Sequence, residues 1–212
     1  MNKHFLAFAI LLLFNFCTNI EVGETIKLPE PDREGGMLLY KALSLRKSSR
    51  NFDETKDISI TTLSQALWSC YGIGETTSRT VPSSKGWYPF FVYAFLKDGV
   101  YQYNPETHEL TKLFDGDHRS KTGTQTSVVT KAAVNLVFVG DLQKETIMQG
   151  DTIRRLACRM DMGHVSQNLY LFASANSMKG VVRGEFNEKT ILDLFGFDQK
   201  NYYIPLCFSL GY

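Results

Sequence analysis

The 212-residue sequence predicts one α+β domain, in which helices and strands alternate loosely. Three observations support this. Apolar residues recur at three- and four-residue intervals over several long segments, which is typical of amphipathic helices. Two runs of β-forming residues flank Asp98 and Gly99, which predicts a simple hairpin. A third apolar run, 134–139, is nearly unbroken, as in a buried strand. A hairpin among helices fits α+β better than a doubly wound sheet.

The remaining elements follow from the same patterns. Helices are predicted over 37–45, 151–177 and 189–195. A further helix is predicted between a cap at Ser59 or Thr61 and a stop at Gly72 and Gly74. The predicted strands cover 90–96, 100–103, 134–139, 181–182 and 202–210. Small residues are interspersed in the long helix, which suits close packing against another helix. Segment 115–126 is rich in Gly, Ser, Thr and charge and is predicted to be a mobile loop.

The N-terminus has the composition of an export signal. Lys3 and His4 precede twelve largely apolar residues, and Cys17 follows at once. We therefore expect a signal peptide over 1–17, with Cys17 as a candidate lipid attachment site for membrane anchoring, and an extended tether over 18–36. This predicts a periplasmic or membrane-anchored lipoprotein. The alternative is a buried N-terminal helix in a cytoplasmic protein.

Composition narrows the function. Lys and Arg number 23 and Asp and Glu 22, so the chain has no charge bias that would indicate nucleic acid as a partner. Beyond Cys17, three widely spaced cysteines stand in apolar surroundings, which predicts buried core residues rather than a disulfide framework. The later histidines lie at no metal-ligand spacing, so we expect no metal site.

A compact basic motif, Arg46-Lys47-Ser48-Ser49-Arg50, follows the first predicted helix. Guanidinium groups beside hydroxyls offer the bidentate and short neutral hydrogen bonds that a phosphate requires. Because the rest of the chain is balanced in charge, the motif indicates a specific anion rather than a polyanion. The alternative interpretation is a solvated, positively charged loop.

A second motif, Pro82-Ser83-Ser84-Lys85-Gly86, is a turn of small residues that leads into the strand beginning at Phe90. Few side chains there would prevent a flat ligand from approaching the backbone. We call residues 82–88 the serine loop. The two motifs together indicate a ligand with a phosphate at one end and a planar body at the other.

These residues resemble a known family. The stretch Arg46 to Phe52 resembles the N-terminal flavin-phosphate motif of FMN-dependent nitroreductases, and the serine loop with Pro89 and Phe90 resembles that family's second flavin-contacting loop. The stretch from Arg79 to Leu110 is similar to the SagB-type branch, which includes dehydrogenases that oxidise heterocycles in modified peptides. The resemblance covers about residues 37–212. It implies a nitroreductase-like fold, with a mixed or antiparallel central sheet flanked by helices, in an intertwined homodimer with FMN at the interface.

The resemblance also implies roles for individual residues. In the basic motif, Lys47 and Arg50 would neutralise the phosphate, Arg46 would reach the pyrimidine edge of the ring, and Ser48 would add a flavin contact. The other implied contacts are Pro82, Ser83 and Ser84 against the ring, Gln125 as a pyrimidine-contacting amide, and Gly184 and Glu185 near the dimethylbenzene side. Gly86 and Tyr88 stand where nitroreductases usually carry amides. Either Lys121 or Lys131 could replace the family's lysine at N1 and O2.

The implied activity is an FMN-dependent oxidoreductase with ping-pong hydride transfer through flavin N5. No side chain is then expected to act as a nucleophile. NAD(P)H is a candidate electron donor, although nicotinamide cofactors are scarce outside the cytoplasm, and a small molecule or modified peptide is the expected substrate. The alternative is a non-catalytic flavin-binding or degenerate interaction protein with the same fold.

Overall fold

The computed structural model describes residues 23–76, 78–144, 148 and 150–212, so the expected signal peptide and Cys17 lie outside the described residues. Within this part of the chain the elements are β1 (Thr25–Lys27), α1 (Leu39–Leu45), α2 (Ile60–Tyr71), β2 (Phe90–Phe95), β3 (Gly99–Asn104), β4 (Glu109–Asp115), α3 (Thr126–Val129), β5 (Val134–Asp141), α4 (Asp151–Ala175), β6 (Lys179–Arg183), α5 (Glu188–Leu194), β7 (Tyr202–Tyr203) and β8 (Cys207–Gly211).

The strands form one sheet in the order β1-β4-β3-β2-β5-β8-β6, with β7 pairing the far end of β5. Every strand pairing in the described part of the chain is antiparallel, so the α+β prediction is confirmed in its antiparallel form. Strand β5 lies inside the sheet, and all eight of its residues are buried. This explains why its sequence is an apolar run rather than an alternating one.

Helices cover both faces of the sheet. Along β2 the side chains alternate, so that Val92 and Ala94 join the core under α2 and α4, whereas Tyr93 and Phe95 join the core under α5. Helix α2 begins where the sequence predicts, because the Ser59 side chain accepts a hydrogen bond from the backbone N–H of Thr62. The predicted hairpin and the four predicted helices are confirmed within a few residues.

The expected tether over 18–36 is wrong for the residues that the structure describes there. Strand β1 pairs with β4, and Leu28 is buried in the core. The carbonyl of Pro29 accepts a hydrogen bond from Ser64 of α2 at 2.5 Å. Farther on, Asp32 and Gln65 exchange two hydrogen bonds. Proline and glycine in this segment indicated extended backbone correctly, but the alternation of Ile26 and Leu28 signals an edge strand.

Three other predictions need correction. The predicted mobile loop 115–126 contains a 3-10 turn, Arg119–Thr122, whose first and last side chains are buried. The segment 202–210 is interrupted at 204–206 and forms two strands, because Pro205 cannot donate a ladder hydrogen bond. The sequence did not predict strand β4, because its charged residues obscure a weak alternation of apolar and polar positions.

The three cysteines after Cys17 are buried and free, as predicted. No described helix is both long and apolar enough to cross a bilayer. Helix α4, the longest element, packs against α1, α2 and β6. It thereby reaches both motifs that the sequence singled out.

Candidate functional site

The basic motif leaves the end of α1 and runs beside the edge strand β6. The Ser49 backbone N–H donates to the Gly180 carbonyl at 2.9 Å, which fixes the motif to the sheet edge. The guanidinium of Arg46 lies 5.3 Å from the ring centroid of Tyr170 on α4, a cation–π distance. The Ser48 hydroxyl lies 2.8 Å from the Tyr170 hydroxyl. Most of the motif's side chains remain exposed and therefore free to bind a ligand.

Tyr170 connects three elements at this point. Its hydroxyl accepts a hydrogen bond from the Val182 backbone N–H of β6 at 3.0 Å and also contacts Ser48. Its ring packs edge-to-face on Phe208 of β8, with centroids 5.1 Å apart. The position of the basic motif is therefore set by a buried side chain of α4.

Four of the predicted site residues surround one cavity of about 330 Å³. Its lining consists of Arg50, Gln125, Val182, Arg183, Gly184 and Glu185. The Gln125 side-chain amide donates to the Glu185 carboxylate at 3.3 Å, so these two predicted contacts are neighbours. The structure thus brings the end of the basic motif together with the two segments predicted to hold the pyrimidine and the dimethylbenzene side.

Arg183 is a cavity residue that sequence reasoning missed. It is buried, and its guanidinium donates to neutral acceptors: the Thr122 carbonyl at 2.5 Å and the Ser209 hydroxyl at 2.8 Å, with Asn135 at 3.4 Å. Burial lowers the pKa of Arg183 because the charged form is desolvated. Among the described residues it makes no ion pair. The sequence feature that could have identified Arg183 is its position at the end of an apolar strand, directly before Gly184.

Two arginines, Arg50 and Arg183, therefore contribute positive charge to a cavity whose one lining carboxylate belongs to Glu185. A buried cation without a carboxylate partner favours an anionic ligand, because the ligand's charge then offsets its desolvation. These residues fit the phosphate or the electron-rich pyrimidine edge of FMN. Lys131 lies 3.8 Å from Glu54, and Lys121 is exposed; neither lines this cavity.

The serine loop lies elsewhere and is held by Asp161 of α4. The Ser83 hydroxyl donates to one carboxylate oxygen at 2.5 Å, and both the backbone N–H and the hydroxyl of Ser84 donate to the other, at 3.0 and 3.1 Å. Asp161 is only 2% exposed. The serine hydroxyls therefore face the helix, and the loop offers its backbone and its other side chains to a ligand.

The backbone of the serine loop is tightly turned. Lys85, Gly86 and Tyr88 all have positive φ, at 56°, 69° and 49°. For a lysine and a tyrosine this left-handed conformation is unfavourable, and it persists only where the surroundings enforce it. The expectation of a small-residue turn is confirmed at Gly86 and extended by its neighbours.

The two motifs of one chain lie on opposite faces of α4. Tyr170, which holds the basic motif, follows Asp161, which holds the serine loop, by nine residues. At about 100° and 1.5 Å per residue, this spacing is about two and a half turns and about 13.5 Å along the axis. The helix itself therefore separates the phosphate-type motif from the planar-ligand loop.

Comparison with known proteins agrees with the fold. The model of the nitroreductase family matches residues 43–212. A candidate nitroreductase of Ralstonia eutropha JMP134 has a solved structure that is 33% identical, covers 88% of each chain and superposes with a TM-score of 0.80.

Two further structures, each under 25% identical, share the fold. One is the McbBCD microcin synthetase complex of E. coli, solved with truncated pro-MccB17 bound; it is 19% identical, has a TM-score of 0.68, and the match covers 99% of this chain and 84% of that one. The other is a candidate nitroreductase of Desulfovibrio desulfuricans, solved in complex with FMN; it is 16% identical, has a TM-score of 0.60, and the match covers 84% and 87%. The chain belongs to the nitroreductase family.

Proposed function

We propose that the protein is an FMN-dependent oxidoreductase that acts as a homodimer, with each flavin bound between two subunits. One observation carries this proposal: the basic motif and the serine loop are fixed to opposite faces of α4. A ligand that uses both must take the motif from one subunit and the loop from the other. FMN, whose phosphate and ring are at opposite ends, is such a ligand.

The chain's own residues would divide the work in this way. Lys47 and Arg50 would bind the phosphate, and Ser48 would be held ready by Tyr170. We assign Arg46 to the phosphate as well, rather than to the pyrimidine edge that the resemblance implies, because it lies against Tyr170 and does not line the cavity of Gln125 and Glu185. Gln125 and Arg183 would face the pyrimidine edge, where donors and positive charge favour the reduced ring. Gly184 and Glu185 would border the dimethylbenzene side, and the serine loop with Pro82, Ser83 and Ser84 would support the ring.

When bound, FMN would supply ping-pong hydride chemistry, in which the two electrons taken from a donor are passed on to an acceptor. The protein would contribute position, charge and exclusion of water, with no side-chain nucleophile. Among the described residues no group of three His, Cys, Asp or Glu side chains could hold a metal ion.

An exposed apolar stripe supports the homodimer. On α4, Ile153, Leu156 and Met160 are 53%, 57% and 58% exposed and recur at helical spacing. On α1, Leu39 and Tyr40 are also exposed. Large exposed apolar side chains that recur along a helix are typical of protein interfaces rather than of solvent-facing surfaces.

The resemblance to the SagB-type branch supports a proposal for the substrate class, and the McbBCD complex shares the fold. We propose a small molecule or a heterocycle-containing modified peptide as substrate. If the N-terminal 17 residues direct export, NAD(P)H would be scarce, and direct oxidation of substrate would replace it as the source of electrons. In the cytoplasm NAD(P)H would be the donor. The second candidate function, flavin binding without turnover, would use the same intact basic motif.

The test is an absorbance spectrum of the purified protein before and after anaerobic addition of NADPH. We expect flavin absorbance bands in the purified or FMN-supplemented protein. Bleaching of these bands by NADPH or by a substrate would show that the protein is a catalyst. Bands that no donor bleaches favour the non-catalytic alternative. Colourless protein that takes up no FMN would refute the proposal.

A further inference from the structure

Asp161 is an unusual residue in its surroundings. It is 2% exposed on a helix whose buried side chains are mostly apolar. In the described part of the chain it forms no ion pair with a lysine, arginine or histidine. Burying a carboxylate costs free energy unless hydrogen bonds satisfy it. Here all three of the donors that satisfy it come from two residues of the serine loop.

The carboxylate also controls the far end of that loop. The Ser83 hydroxyl donates to Asp161 and, through the same oxygen, accepts the Tyr88 backbone N–H at 2.8 Å. One hydrogen-bonded chain therefore runs from Tyr88 through Ser83 to Asp161. It encloses the two left-handed residues Lys85 and Gly86 and ends at the third, Tyr88. The strained turn is thus closed from outside by a single side chain.

The same face of α4 fixes the entrance of the loop. Asn168 lies seven residues after Asp161, which is close to two full helical turns. Its side-chain amide donates to the Ser69 carbonyl at 2.9 Å and to the Thr80 carbonyl at 3.1 Å. These bonds hold residue 80, just before the serine loop, against the end of α2. Asp161 then determines the conformation of residues 83–88 from a fixed starting point.

We propose that Asp161 is a positioning residue that shapes the serine loop for the flavin ring, so that Ser83 and Ser84 act through it rather than by contacting the ring with their hydroxyls. This inference rests on the proposed function and specifies how the ring side of that site is built. Asp161 does not touch the ligand. Its charge lies one hydrogen bond behind the loop, where it opposes negative charge on the reduced ring.

The test compares Asp161→Asn with Ser83→Ala plus Ser84→Ala in the full-length protein, with FMN as the ligand. An asparagine side chain has nearly the same shape as aspartate, but only its oxygen accepts hydrogen bonds. Its amide nitrogen cannot accept from the donors that contact the second carboxylate oxygen of Asp161. We expect Asp161→Asn to weaken FMN binding at least tenfold, to alter the flavin absorbance envelope and to move the reduction potential in the positive direction. Asp141→Asn, at another buried aspartate, should leave all three properties unchanged.

Adding Asp161→Asn to the double serine variant separates positioning from general loss of packing. If Asp161 acts through the serine loop, the loss in the triple variant is smaller than the sum of the two separate losses, because the double variant leaves Asp161 only the Ser84 backbone N–H to hold. Additive losses, or wild-type affinity and potential in Asp161→Asn, would overturn the inference while leaving the proposed function intact. Should Asp161→Asn fail to fold, the double serine variant still decides: wild-type affinity and spectrum in it contradict the inference. Wild-type protein that binds no FMN refutes both.

Discussion

The basic motif and the serine loop are both candidate ligand-binding regions, yet they are built in opposite ways. The basic motif is mostly exposed and charged, with one hydroxyl, that of Ser48, held by a buried tyrosine. The serine loop has its polar side chains turned inward onto a buried carboxylate. Cations that bind a phosphate must stay free of internal partners. A surface that receives a flat ring instead needs a rigid backbone.

This difference explains how each region would fail. Substitutions in the basic motif remove direct charge-assisted bonds, each worth about 1.5–3 kcal/mol, and leave the fold unchanged. Substitutions behind the serine loop release strain and change the shape of the ring surface. Because α4 separates the two regions within one chain, substitutions in either region should weaken binding of the same ligand only if that ligand lies between two subunits.

The largest expected effect comes from preventing the subunits from meeting. Leu156→Glu plus Met160→Glu places two charges on the exposed apolar stripe of α4. We expect a folded monomer that has lost FMN as well, because each half-site then lacks its complement. Light scattering after size exclusion and flavin absorbance measure the two properties on one sample.

Ile60→Glu is the matched control, since Ile60 is exposed and apolar but lies on α2. It should remain dimeric and yellow. A monomeric stripe variant that keeps its FMN with wild-type affinity would show that one chain suffices for the whole site.

The next largest effect distinguishes the basic motif from the serine loop by comparing the binding of two ligands, FMN and riboflavin. Arg46→Ala plus Arg50→Ala should weaken FMN binding by about 10²–10⁴-fold, as expected for the loss of two charge-assisted contacts. Binding of riboflavin, which has no phosphate, should change little. Ser83→Ala plus Ser84→Ala should weaken FMN and riboflavin equally. Titration by flavin fluorescence gives all four ratios.

A control for net charge is Lys97→Ala plus Lys189→Ala, which removes two exposed cations outside both regions. It should bind FMN as the wild type does. Equal loss of riboflavin binding in the arginine variant would instead place Arg46 and Arg50 against the ring.

The smallest expected effect concerns His108, which lies outside both the basic motif and the serine loop. His108 lies between the Tyr103 hydroxyl, 2.9 Å from Nδ1, and the Ser64 hydroxyl, 2.7 Å from Nε2, and it helps to hold Pro29. Burial lowers the pKa of His108, so the folded state favours the neutral ring. Its contribution to stability is then complete above the unfolded pKa of about 6.5 and is lost as the pH falls towards the lower folded pKa.

His108→Gln should reduce the free energy of unfolding by about 1–2 kcal/mol at pH 7.5 and by less at pH 5.5. Urea unfolding at the two pH values measures this, with His118→Gln as the control. FMN affinity at pH 7.5 should stay unchanged. A large loss of FMN would mean that the N-terminal segment takes part in the site.

Much of this architecture could be predicted from the sequence because local patterns encode it. The hairpin at Asp98–Gly99, the Ser59 cap and the basic motif each depend on neighbouring residues. What was missed depends on contacts between distant residues. Asp161 reads as a polar position on a long helix until Ser83, 78 residues away, is placed beside it.

The same reason explains the other omissions. Arg183 gains meaning only when Thr122 and Ser209 are seen around it. Strand β1 exists because β4 is available to pair with it, and the short alternation of Ile26 and Leu28 gives only a weak local signal for a strand. The separation of the two motifs by α4 is likewise invisible until both are fixed to that helix.

The most direct test of the central claim, that each flavin takes its phosphate site from one subunit and its ring loop from the other, is a mixed dimer. Chains with Arg46→Ala and Arg50→Ala are combined with chains carrying Ser83→Ala and Ser84→Ala, and doubly tagged heterodimers are isolated. At an FMN concentration that leaves both parent homodimers nearly empty, the account predicts one FMN per heterodimer, since one site is then intact and the other carries every substitution. Heterodimers as empty as their parents would contradict it, because each chain would then be building its site alone.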